Sequence, residues 1–354
     1  MELIKHNFKE LLPLVVKTVL SGRVAAIWGP PGIGKTALGR KVRDVIEQKI
    51  NKQVGFYVLD APLLQPFDYT VAVPDHNSQT VKLYRTGFLP EKGPAVVLVE
   101  DLPHAKPYQV IPIMQIVLEH RIGPLYFSDD VYFIITGNRE EDLANVHQLP
   151  SPLYNRLVHF EMEADLDVWR EWAKGNRLDP RVIGFVYAYP QYFCQLPQEG
   201  VKAWPTPRSW HILSDLIKDV EDETLLRSLA TAAVGASVAS VFISWIKYLQ
   251  LVEPKKVLET GVLPRYTDRT QLFAILCALI NEIKRTKKEE IGKIVKNIVK
   301  IWQSLEGDYK IFFIKELLDF DENSNLKLDL ISYILTFDEA EPMKNFVKDV
   351  VKDL

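Results

Sequence analysis

Cysteine is scarce: the chain holds two, Cys194 and Cys277. They stand far apart and outside any His–Cys cluster. Neither a disulfide framework nor a zinc site is expected, and a reducing, cytoplasmic compartment is the simplest reading. An excess of charge of one sign is missing too. The 43 Lys and Arg face 46 Asp and Glu, for a formal net charge of −3 and a pI of about 6.2. That excludes a global basic footprint for nucleic acid while leaving room for a local patch. Long hydrophobic runs are lacking as well. "MELIKHNFKE" is charged and has no apolar core ahead of a cleavage site, so no signal peptide is expected. One stretch, "ATAAVGASVASVFISWI" (230–246), is uncharged for 17 residues but rich in Ala, Ser and Gly. A spanning helix needs about 20 predominantly apolar residues, so a buried helix is expected here and no membrane span. There is no internal repeat and no low-complexity tract.

What is present is an ordinary globular composition, 47% hydrophobic and 25% charged over 354 residues, long enough for two or three domains. The first 160 residues alternate strand-like and helix-like segments. "RVAAIW" (23–28), "VGFYVLD" (54–60), "PAVVLVED" (94–101), "VYFIITGN" (131–138) and "RLVHFEM" (156–162) are short apolar runs. "FKELLPLVVKTVL" (8–20) and "TALGRKVRDVIEQKI" (36–50) carry helical periodicity. Such interleaving predicts a parallel sheet covered by helices. After residue 163 the segments read as helices, the first of them capped by Asp165, with a Pro/Gly-containing break at 252–268. Charge is divided near the C-terminus. Residues 284–300 hold seven Lys/Arg against two Glu, and 316–341 hold eight Asp/Glu against one Lys. Ile291, Ile294, Val295, Ile298 and Ile301 share one helical face and Lys293, Lys296 and Lys300 lie away from it. This reads as a solvated basic face, with a docking surface for an acidic partner as the other reading.

"GPPGIGKT" (29–36) fits G-x-x-x-x-G-K-[ST]. Small residues let successive backbone N–H groups turn inward around phosphates, and the following helix N-terminus adds a positive dipole. Lys35 is placed to reach the β/γ-phosphates and Thr36 to offer a hydroxyl to Mg²⁺. The motif follows a strand and opens a helix, as that chemistry demands. A strand ending in Glu100 and Asp101 could supply an acidic group beside Mg²⁺ and a base for water. Alone, it could be a solvated strand end. Asn138, at the end of "IITGN", could orient water against the γ-phosphate, since ligand contacts gather at the carboxyl ends of strands. Alone, Gly-Asn favours turns.

With these pieces in order the chain resembles the AAA+ ATPases, and within them a bacterial and phage subgroup of the MoxR-like branch. "GPPGIGKT" resembles the family's Walker A, making Gly29, Pro30, Gly32, Ile33, Gly34, Lys35, Thr36 and Ala37 the nucleotide-binding residues. "VVLVEDLPHA" stands where the family has an apolar strand ending in Asp-Glu; here Glu100 comes first and Asp101 second. "IITGNREED" resembles sensor 1, with Asn138 orienting water. "LPSPLYNRLVHFEME" resembles the segment with the arginine finger, making Arg156 the finger. "AWPTPRSWHIL" resembles sensor 2, with Arg208 at the start of a lid helix. "FDYTVAVPDHNSQTVKLYRTGFLP" and "HRIGPLYFSDDVYF" resemble the family's insert and pre-sensor-1 hairpin. Without that context Arg156 could be a surface residue at a strand edge and Arg208 a residue covering a helix turn.

The resemblance implies an α/β fold: a parallel five-stranded sheet between helices, then an all-α lid and an α-helical C-terminal extension. The divisions would fall at 1–162, 163–252 and 253–354. It implies ATP and Mg²⁺ at the site, with Thr36 and Glu100 on the metal and Asp101, Asn138, Arg156 and Arg208 in hydrolysis. It implies a homo-oligomeric ring, usually a hexamer, that remodels a protein client, often one with a von Willebrand A domain. Two other functions stay open. One is an ATP-dependent switch or scaffold with slow hydrolysis, favoured by the exchanged carboxylates. The other is a nucleic-acid motor or loader, which the acidic balance disfavours.

Overall fold

Each of the five apolar runs becomes a strand of one parallel sheet in the computed structural model, which describes residues 3–77, 79–142, 147–197, 200–266, 269–286 and 288–318, with positions 334 and 343. In chain order the elements are β1 (Lys5–His6), α1 (Phe8–Leu20), β2 (Val24–Trp28), α2 (Lys35–Ile50), β3 (Gly55–Asp60), β4 (Thr70–Asp75), β5 (Thr80–Arg85), β6 (Ala95–Glu100), α3 (Pro107–Glu119), β7 (Arg121–Ile122), β8 (Leu125–Tyr126), β9 (Val131–Gly137), α4 (Ser151–Tyr154) and β10 (Leu157–Met162). Helices follow: α5 (Leu166–Gly175), α6 (Pro180–Ala188), α7 (Pro207–Leu216), α8 (Glu223–Val234), α9 (Ala236–Leu251), α10 (Pro254–Thr260), α11 (Arg269–Arg285), α12 (Lys288–Ser304) and α13 (Asp308–Leu318). Of the acidic run at 316–341, residues 319–341 lie outside the described residues, position 334 apart.

The sheet runs β1-β10-β2-β9-β6-β3, every pair parallel. This α/β arrangement is consistent with the AAA+ P-loop fold, with six strands rather than the five expected. The extra one, β1, is two residues long and carries no periodicity to read; it pairs Lys5 with Glu161 and His6 with Met162 at the edge. The central strands are apolar without alternation because both faces are covered. On one face Leu11, Val15 and Val19 of α1 and Leu38, Val42 and Ile46 of α2 pack with Ala25, Ile27, Leu98 and Ile134. On the other, Val110, Ile113 and Ile116 of α3 pack with Val24, Ala26, Val97, Val99 and Ile135. Each buried aliphatic side chain contributes on the order of 1.5–3 kcal/mol. The segments resembling an insert and a hairpin form two antiparallel ribbons, β4–β5 and β7–β8.

The chain divides into two compact units: residues 1–178, 191–216 and 232–235, and residues 179–190, 217–231 and 236–354. The first holds the sheet. Two of its helices start on side-chain caps: Asn7 and Glu10 form a reciprocal capping box on α1, and Asp165 accepts from Val168 N on α5. The second unit is helical. Its core draws on Leu272, Ile275 and Leu279 of α11, Ile291, Val295 and Ile298 of α12, and Phe312 and Phe313 of α13. Lys293, Lys296 and Lys300 are exposed, as the amphipathic pattern implied. One helix expectation fails. Residues 230–246 do not form a single helix but are split at Gly235, whose φ is +87° and where a Cβ would stand 2.4 Å from Ala203 O. Only glycine meets both demands. No helix among the described residues is long and apolar enough to cross a membrane.

Candidate active site

Three strands deliver their ends to one place. Trp28 pairs with Gly137 and Val99 with Ile135, so β2, β6 and β9 finish level with one another. Gly29, Asp101 and Asn138 follow those strands directly. The loop from Gly29 to Gly34 then turns into α2, which begins at Lys35.

Lys35 is buried, at 8% exposure. Its ammonium donates to Gly29 O at 2.6 Å, Pro30 O at 2.8 Å and Asn138 Oδ1 at 2.8 Å. All three N–H bonds are therefore used within the chain. Burial pulls the lysine down from its usual 10.5 to about 8; Asp101 and Asp142 oppose that pull, and Arg208 and Arg139 add to it. Next to it, the Thr36 hydroxyl donates to Glu100 Oε1. A hydroxyl and a carboxylate side by side at the start of α2 are oxygen donors of the type Mg²⁺ takes, so the residues present fit a phosphate–magnesium ligand.

The exchanged carboxylates have a local reason. Asp101 sits at φ +52°, ψ +37°, a left-handed conformation. Asp and Asn enter that region far more readily than Glu. The longer Glu100 reaches Thr36 from the last position of β6. Asp101 is exposed, and its side chain has no hydrogen bond among the described residues. Its charge acts on Lys35 and, after burial, helps hold Asp60 above the usual carboxylate range.

Asn138 presents Oδ1 to Lys35, leaving its Nδ2 hydrogens for a ligand oxygen. The neighbouring Arg139 was missed in the sequence. Its backbone N–H and guanidinium donate to Asp142, which is fully buried, with distances of 2.7–3.2 Å. Its Nη1 also meets Glu161 of β10 and, at 2.6 Å, Glu141. The hydrogen bonds to Asp142 hold Arg139 above the usual guanidinium range despite partial burial. The Arg139–Asp142 spacing was visible in "NREED"; Glu161, 22 residues on, was not.

The two other arginines differ in placement. Arg208, at the start of α7, donates its backbone N–H to Gly32 O at 3.1 Å. Gly32 has φ +78°, and a Cβ there would stand 2.9 Å from Thr206 Oγ1 and 3.3 Å from Arg208 Cβ. Glycine is thus required where α7 meets the loop. Arg208's side chain is exposed, and its charge is felt at Lys35. Arg156 is not brought to this site. It precedes Leu157, which pairs with Val24 at the start of β2. The loop begins five residues farther along, about 16 Å at strand rise. Arg156 is exposed and has no ion pair among the described residues.

No family model matches the chain, and no curated protein matches it. Among solved structures it is similar to a mutant of RuvB from Thermotoga maritima, at 14% identity over 84% of this chain and 81% of that one, with a TM-score of 0.33. A candidate ATPase from Cytophaga hutchinsonii gives 10% identity over 78% and 72%, with a TM-score of 0.33. T. maritima RuvB, a Holliday junction branch migration motor, gives 14% identity over 84% and 76%, with a TM-score of 0.31. Similarity at this level carries nothing about activity.

Proposed function

We propose that the chain is a MoxR-like AAA+ ATPase that works as a homo-oligomeric ring and remodels a protein client. The observation that supports this best is one hydrogen-bonded cluster. Lys35, Asn138 and the loop carbonyls meet at one ammonium, and Thr36 meets Glu100 beside it. Oxygen ligands of a nucleotide can replace each of these internal partners. The triphosphate would take Lys35 from Asn138 and the carbonyls, and the inward N–H groups of the loop would share its charge. Thr36 and Glu100 would hold Mg²⁺, which supplies neutralisation of the charge that builds up on the phosphates.

The rest is work for the chain's own side chains. Asn138, released from Lys35, turns its amide toward the attacking water. Asp101, exposed and unpaired among the described residues, accepts the water's proton. Arg208 reaches the nucleotide from α7, whose start is tied to Gly32. Arg156 serves the site of a neighbouring subunit, since its own lies at the far end of the strand. A heterologous contact of this kind closes into a ring. Phosphoryl transfer is mostly positioning and charge stabilisation, which such a set provides. Steady-state ATP hydrolysis by wild type and Lys35→Ala, with particle mass measured with and without ATP, tests this. Wild-type turnover no faster than that of Lys35→Ala would refute the enzyme.

A second reading draws on Asp101. Its carboxylate is one methylene shorter than the Glu of the usual order, so a base held about 1 Å short could leave a nucleotide-gated switch with slow hydrolysis. ATP-dependent assembly with turnover close to that of Lys35→Ala would favour it.

A further inference from the structure

Arg139 meets three carboxylates, those of Glu141, Asp142 and Glu161, and nothing in the mechanism above uses it. Its partners explain why it matters. Asp142 takes it side-on, with Nε and Nη2 both in range, and accepts its backbone N–H as well. Asp142 is fully buried. A carboxylate in that position must be paired, so the two residues form one obligatory unit. Nη1 then reaches Glu161 on β10, which also lies 3.8 Å from Lys5 of β1.

The place of this unit in the sheet is as telling as its bonds. Arg139 comes one residue after Asn138, beyond the end of β9. Glu161 is paired with Trp28, the last residue of β2. In the sheet β10 and β9 flank β2. Two strand spacings, about 9.5 Å, separate the flanking strands, and the Arg139–Glu161 pair bridges them. It therefore crosses the exit of β2 where the phosphate loop begins. On the near side it fixes the backbone of the one residue whose carboxamide touches Lys35. An exposed ion pair would need neither a buried partner nor three carboxylates.

We propose that Arg139, acting through Asp142 and Glu161, is a positioning residue for hydrolysis that fixes the height of Asn138 relative to Lys35. It rests on the ATPase reading given above. The unit holds the Asn138 backbone still while its side chain exchanges Lys35 for water and phosphate. Lysine cannot replace it, because an ammonium lacks the fork that engages Asp142 side-on.

The test uses the full-length protein and compares Arg139→Lys, Asn138→Ala and the double variant by kcat for ATP and by Kd for a fluorescent ATP analogue. Arg139→Lys should lower kcat by about 10–100-fold, the scale of a 1 Å misplacement. Kd should stay within about threefold, because the phosphate contacts are untouched. The double variant should be no slower than Asn138→Ala alone, since the arginine acts through that side chain. Losses that multiply, or a folded Arg139→Lys with wild-type kcat, overturn the proposal. So does a parallel loss of Kd and kcat, which marks a merely structural role. If Arg139→Lys does not fold, Glu161→Ala, which removes the acceptor of Nη1 on β10, is put through the same cycle with the same criteria. Wild-type turnover at the level of Lys35→Ala would remove the ATPase reading and this inference with it; turnover with multiplying losses removes the inference alone.

Discussion

The two ends of the parallel sheet are built differently. At the carboxyl end the polar groups answer one another: Lys35 has three acceptors, Thr36 has Glu100, and Arg139 has three carboxylates. At the amino end Arg156 stands exposed with no ion pair among the described residues. Burial accounts for the contrast. An ammonium held at 8% exposure must be satisfied internally until a ligand offers better partners, whereas an exposed guanidinium keeps its water at little cost. The first end is suited to binding by exchange of partners. The second is suited to giving its charge to another molecule.

The sharpest way to break that contrast is to move function between chains. Arg156→Ala should lower turnover by about 10³–10⁵-fold if it acts as a finger, with ATP affinity kept. Mixing it with Lys35→Ala should restore part of the activity, because a mixed ring contains interfaces with an intact loop and an intact finger. Full activity of Arg156→Ala at ring-forming concentrations would show that the exposed end is only surface.

Next in size is the proposed base. Asp101→Asn should cost about 10²–10⁴-fold in kcat while ATP still binds. Asn is chosen because it tolerates the left-handed backbone at φ +52° as Asp does, so the loss reports on the carboxylate. Undiminished turnover would place the base elsewhere.

These residues were legible to different degrees, for physical reasons. The loop and its three strands announce themselves because each is a contiguous run, and neighbouring strand ends converge once the strands are parallel. The exchanged order of Glu100 and Asp101 was legible as an oddity and not as a solution. Its reason is a backbone dihedral at position 101 and the reach of a side chain to Thr36, neither of which a string of letters carries. The Arg139 bridge was illegible because Glu161 lies on β10, beyond β2 in the sheet order. β1 was too short to show a period, and the break at Gly235 was hidden in a run of small residues that helix and turn both accept.

That explanation of the exchange can itself be broken. Glu100→Asp with Asp101→Glu, the usual order, should be slower than wild type by about 10²-fold rather than faster. The shorter side chain at 100 loses Thr36, and Glu at a left-handed position costs on the order of 1 kcal/mol. Equal or higher turnover would mean that the backbone at 101 relaxes freely and that the order carries no structural reason.

The smallest effect concerns the buried ammonium. Lys35 titrates near 8 in the folded chain because burial disfavours its charged form, against 10.5 ordinarily. Between those values the unfolded chain binds more protons than the folded one. The stability of the nucleotide-free protein should therefore rise with pH over that window, by at most ~3 kcal/mol, and be flat below it. A phosphate next to the ammonium favours the charged form, so ATP binding above pH 8 must take up a proton. Affinity should weaken about tenfold between pH 7 and pH 9, since the neutral lysine then has to be recharged. Calorimetry in two buffers of different ionisation enthalpy reads the uptake directly. Lys35→Arg, which cannot lose its proton in this range, should show neither the uptake nor the pH slope. A wild type as flat as that variant would mean that Lys35 is solvated and still charged at pH 9 before ATP arrives, and the contrast between a closed end and an open end would then fail at its first residue.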